Sequence, residues 1–458
     1  MSITRQRSHQ DLSRKMLANG VTYGVMAATL VAVAAYAITM SRHMEVNSVK
    51  NFVSAKNSMS ALRLAWCFFA AGIGAGSLFT FPEIGVDAGS WGVIGYTLSG
   101  ISGMIVLALV GPYIRSAVGE NVTMTDVVSN RFGYTMRLYI GFISMFYQFI
   151  CLASEYTCIA QLTTMMSPDA HPIITILLVA FLTNLYLTIG GLRASLATDV
   201  WQGIGVVALV GLVCIAMFFH VSIPDGAWSK TNVAAFTTAG FETLVTLVIA
   251  VTASNLFFTG FWQRVYAAYD DHTLYKAAFG ASVILTLFTV ALAMAGMRSV
   301  GLTSSGHCCG AHDLLSQAFA AARTHHLRAF ECPSNRDRIP AIRHYDSYLI
   351  ADLFCTVAVG PMLLGTWKRA TRAGAFAGNA AGFLTIFIYG VIAQGKFVGG
   401  FNWFVLPEGL YSQNSMITFI LTLIIPPVVT VGVSLMTPET KDDSVFLLEH
   451  SPVQEIKA

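Results

Sequence analysis

The chain reads as an all-α polytopic membrane protein, and three observations lead there. Of its 458 residues 55% are hydrophobic and only 11% are charged, where an ordinary soluble domain carries about a quarter charged residues. Mean hydropathy is +0.63. The apolar residues gather into runs long enough to cross a bilayer, about 18 to 25 residues for about 30 Å of hydrocarbon. The net charge of +3 is small and its basic residues are dispersed, so nucleic acid is not an expected partner. The lipid bilayer is.

Apolar runs fall at 21–40, 61–83, 92–114, 138–163, 172–190, 199–220, 241–262, 275–297, 347–366, 374–395 and 415–437, about eleven transmembrane helices. The domain reading follows: an N-terminal tail 1–20, a leading helix 21–40, seven spans over 61–297, a polar segment 298–346, C-terminal spans over 347–437 and a tail 438–458. Arg5, Arg7, Arg14 and Lys15 precede the first run, as they would a signal peptide or a first span; its length favours a span. Arg115, Arg131, Arg137, Arg193, Arg264, Lys276, Lys368, Arg369 and Arg372 share one side of the membrane, while only Lys230 and Lys396 lie in short loops opposite. The positive-inside rule then sets the C-terminus in the cytoplasm and the N-terminus outside, in a plasma membrane. Cys67, Cys151, Cys158, Cys214 and Cys355 sit inside apolar runs and read as small hydrophobes rather than a disulfide framework.

Polar groups within these runs are candidate site residues. Span 61–83 contains Gly72, Gly74 and Gly76 at alternate positions. Glycine weakens a helix by about 1 kcal/mol relative to alanine, so this stretch either packs closely against another helix or unwinds where it lines a cavity, freeing carbonyls for a cation. Glu155 could neutralise a cationic solute, bond an amide, or pair with another helix. Thr252, Ser254 and Asn255 form a polar cluster that either bridges helices or lines a site. Asp199 opens the run 199–220, where a helix dipole alone would favour it.

Three separated segments carry a family resemblance: Gly190 to Gln202 (GGLRASLATDVWQ), Trp262 to Ala268 (WQRVYAA), and Leu364 to Ala375 (LGTWKRATRAGA). In order and spacing they resemble the sodium/solute symporter family. Glu155-Tyr156-Thr157 and the Gln-Arg segment look most like its urea-transporter branch. The resemblance implies a leucine-transporter-like inverted five-helix repeat with a site at the membrane midplane where broken helices meet. It implies a sodium ion as coupling ion, held by carbonyls of Ala70 and Ile73 with hydroxyls from an eighth core helix, and Asp199 on the sodium path. A small-molecule solute, urea or a related nitrogen compound, would lie near Gly72, Glu155, Ser254 and Asn255. The expected activity is sodium-coupled symport, and no enzyme chemistry is expected.

The resemblance covers about 45–297 and 347–437 and fails between them. No spanning run survives there, so core helices eight and nine are expected to be missing or replaced and the second repeat incomplete. A transport-inactive member acting as an assembly partner, or a truncated gene model, is the alternative. His307, Cys308, Cys309, His312, His325, His326 and Cys332 match no metal-ligand spacing, and no metal site is expected.

Overall fold

The computed structural model describes residues 19–42, 55–118, 124–167, 170–220, 236–304 and 344–437. In chain order its helices are α1 (Asn19–Arg42), α2 (Ala61–Gly72), α3 (Ser77–Asp87), α4 (Gly89–Val118), α5 (Met124–Phe132), α6 (Tyr134–Met166) and α7 (Pro172–His220). There follow α8 (Thr238–Asn255), α9 (Thr259–Ala267), α10 (Asp271–Ser304), α11 (His344–Leu363), α12 (Arg372–Gln394), α13 (Phe397–Asn402) and α14 (Gln413–Met436). Among the described residues the only β-pairing is one bridge between Met59 and Ala268.

Nine of these helices are long and apolar enough to cross a membrane, and the bent pair α2 and α3 makes a tenth crossing. The 49 residues of α7 far exceed one bilayer at 1.5 Å per residue, and the helix divides at Gly191 (φ 61°, ψ −162°). This backbone conformation is open to glycine and closed to most other residues. The Gly-Gly motif therefore turns the chain between two spans, which restores the eleven runs read from the sequence. The expected start of a helix at Asp199 is corrected: the second half of α7 begins at the Gly191 kink, and Asp199 lies well inside it, away from the amides that the dipole argument required.

The helix α10 runs on to Ser304, past the expected boundary at 298, with Arg298 set over the Phe218 ring at 4.5 Å. Residues 305–343 lie outside the described residues, and so do the expectation of missing core helices and the His/Cys segment. Around this gap the bundle is continuous. Leading helix α1 lies on α7 through Ala34, Ala37, Tyr186 and Ala194, and Trp201 donates to the Tyr36 hydroxyl at 2.8 Å. The main core joins α2, α4, α6, α9, α10 and α11.

The motifs that carry the resemblance perform structural work. Trp262 donates its indole N–H to the Leu256 carbonyl at 2.7 Å, bracing the break between α8 and α9. Thr371 caps α12, its hydroxyl accepting from Gly374 N at 3.1 Å. Arg131 is 2% exposed and donates to the carbonyls of Trp367, Lys368 and Ala370 at 3.3, 2.6 and 2.7 Å, holding the α11–α12 loop against α5.

Candidate solute and cation site

Helix α2 stops at Gly72 and α3 starts at Ser77, with a 71° bend between them. Ile73 is extended (φ −117°, ψ 122°), so the glycine-rich stretch is unwound rather than a packing face. The hydrogen bonds show what the break frees. In a continuous helix Gly74 N would serve the Ala70 carbonyl, but it donates to the Ser77 hydroxyl at 3.3 Å. Ser77 N would serve Ile73, but it bonds the Gly74 carbonyl at 3.1 Å. The Ala70 and Ile73 carbonyls thus lose their helical donors. Oxygen atoms of this kind suit a hard monovalent cation.

Glu155, on α6, closes the other side of the break. Its Oε2 accepts from Ala75 N at 2.6 Å and from Gly76 N at 3.4 Å, the amides that open α3, where the helix dipole favours a negative charge. Oε1 faces the Tyr348 hydroxyl of α11 at 3.5 Å. A Cβ on Gly74 would overlap this carboxyl group as it is placed, and the glycine lets the two approach closely. Among the described residues no basic side chain is paired with Glu155.

Other expected site residues separate. Gly72 is exposed and faces the Phe261 ring. Ser254 is 1% exposed and its hydroxyl donates to the Val251 carbonyl of its own helix at 3.2 Å. Neighbouring Asn255 presses on Gly103 of α4, on a different side of α8. Ser254 and Asn255, consecutive on α8, point about 100° apart. Thr252 bonds Ser102 at 2.5 Å and bridges α8 to α4.

Asp199 lies elsewhere. Arg264 Nη2 donates to its Oδ2 at 2.5 Å, with the Asp199 and Arg264 side chains 14% and 8% accessible. Arg264 also donates through Nε to the Cys67 carbonyl at 2.8 Å and through Nη1 to the Gly260 carbonyl at 2.7 Å. The guanidinium thereby joins α2, α7 and α9, and Asp199 already has its countercharge. No sequence signal linked residues 199 and 264.

Sequence reading missed Asp352. It is 5% exposed, on α11. The signal was available as an acidic residue inside an apolar run, in Tyr348-Leu-Ile-Ala-Asp352. Among the described residues no group of three His, Cys, Asp or Glu is arranged to hold a metal ion.

A family model described as "Sodium:solute symporter family" matches residues 52–322. The chain is similar to the spermidine transporter DUR31 of Candida albicans, 27% identical over 245 residues, 53% of this chain and 47% of the relative. The chain spans about half the length of the curated relative it matches. In structure it is similar to a Na+-coupled sialic acid symporter solved in a substrate-bound outward-open state, at 14% identity and a TM-score of 0.65 over 92% of this chain and 98% of that one. This likeness establishes the fold. The family is one of transporters rather than enzymes, and its coupling ion is sodium. An all-helical bundle with a broken first helix, three motifs in order and a family match over more than half its length together mean that the chain belongs to the sodium:solute symporter family.

Proposed function

We propose that this chain carries a small cationic nitrogen compound across the plasma membrane by symport with sodium, its N-terminus outside. The carrying observation is Glu155: a carboxylate deep in the bundle, across the break of the first core helix, with no basic partner among the described residues. Burying an unpaired charge in a membrane is costly, and a cationic solute would offset that cost. Urea, the solute class first suggested, is neutral and would leave it uncompensated; an amine would not, and the relative from Candida albicans is a spermidine transporter. The freed Ala70 and Ile73 carbonyls favour sodium beside the same break.

Uptake of radiolabelled spermidine into cells expressing the full chain tests the proposal. Uptake should be saturable and should fall when external sodium is replaced by choline. Uptake unchanged by that replacement would remove sodium coupling, and saturable urea uptake without competition by amines would remove the cationic solute.

A further inference from the structure

The second buried carboxylate has no assigned role. Helices α6 and α11 pack directly, with the Phe146 and Phe354 rings 5.6 Å apart. On α6, Tyr147, Cys151 and Glu155 recur every fourth residue and share one face; on α11, Tyr348 and Asp352 do the same. The approach of the Tyr348 hydroxyl to Glu155 at 3.5 Å fixes the register of the two faces. Asp352 therefore lies one turn, about 6 Å, along α11 from the residue that touches Glu155.

Its surroundings are polar but neutral. Tyr147 and Cys151 lie on the α6 face that meets this seam, and Cys355 follows Asp352 on its own helix. Among the described residues no Lys, Arg or His faces it, and the buried guanidiniums of Arg131 and Arg264 are committed elsewhere. A carboxylate 95% removed from solvent in a spanning helix, on a seam that also carries Tyr147 and Tyr348, lacks only a cation. Tyrosine rings also attract ammonium groups and cover methylene chains.

We infer that Asp352 is a second ammonium-binding carboxylate of the solute site, so that the site takes a linear diamine or polyamine with one amino group towards Glu155 and the next at Asp352. The inference rests on the proposed amine transport and adds the solute's second charge and its spacing. A monoamine satisfies only one carboxylate. A diamine long enough to reach from one carboxylate to the other satisfies both.

The test uses the purified full chain in lipid nanodiscs, with bound radiolabelled spermidine displaced by 1,4-diaminobutane, 1,3-diaminopropane or 1-aminobutane. In the wild type 1,4-diaminobutane should displace spermidine roughly tenfold or more better than 1-aminobutane, the worth of one charged hydrogen bond. Asp352→Asn should abolish that preference, the displacement constants of 1,4-diaminobutane and 1-aminobutane becoming about equal. Asp352→Glu, which keeps the charge on a longer arm, should shift preference towards 1,3-diaminopropane. An unchanged diamine preference in Asp352→Asn, a parallel loss for both amines, or no chain-length shift in Asp352→Glu would overturn the inference and leave amine transport standing. A wild-type chain that binds no amine would remove the proposed function and this inference with it.

Discussion

Breaking the Asp199–Arg264 pair should measurably destabilise the bundle, and its size follows from the contacts. Asp199→Asn keeps side-chain volume and removes the charge opposite Arg264. Removing one partner of a fully buried ion pair costs about 3–5 kcal/mol. Here the side chains are 14% and 8% accessible, and Arg264 keeps the Cys67 and Gly260 carbonyls as acceptors. Both features reduce the penalty, to about 2–3 kcal/mol, the upper range for a hydrogen bond between charged groups. Arg264→Gln should cost as much or more, since it also releases the two carbonyls. The double variant should be more stable than the sum of the singles by about 1.5 kcal/mol or more, because no charge is then left unpaired. Reversible unfolding of the purified full chain in mixed micelles gives all four values of the cycle. A cost below about 0.5 kcal/mol for Asp199→Asn, with additive effects, would refute the reasoning. Asp199 would then be free to act as a sodium ligand, and the variant should change the sodium dependence of uptake without changing stability.

Two further outcomes follow from the geometry. Gly74→Ala should cost about 1–3 kcal/mol through overlap with the Glu155 carboxyl, and Glu155→Ala in the same chain should recover part of it; melting of the single and double variants measures both, and a Gly74→Ala protein of wild-type stability would contradict the close approach. Arg131→Met removes the Nη2 donor that reaches three carbonyls, so proteolysis in the loop at 366–371 should accelerate several-fold, and an unchanged cleavage rate would deny Arg131 its hold on that loop.

How much of this was legible in sequence differs between the fold and the site. Hydropathy located each crossing, because the bilayer fixes the length of an apolar run. It could not find that the helix after the Gly191 kink starts well before Asp199, or where the second broken span opens, between Asn255 and Thr259. The break of the first core helix was legible because it is a local event, written in the Gly72, Gly74 and Gly76 spacing. Glu155 was visible as a charge in an apolar run, yet its partners at 75, 76 and 348 were not.

What the sequence by itself determined was the set of spans, the family and the position of the broken first helix. The tertiary structure alone decided which way each spanning helix is turned. In water a helix announces its buried face by contrast with a polar one; in lipid both faces are apolar. On α6, Phe142, Met145 and Phe149 face outward at 64%, 68% and 67% exposure while Ile140 and Ile143 are buried at 1% and 2%, a difference hydropathy does not record. The pairing of Asp199 with Arg264, the contact of Glu155 with the α3 amides and the burial of Asp352 all depend on that rotation, which is set by side-chain packing between helices far apart in the chain.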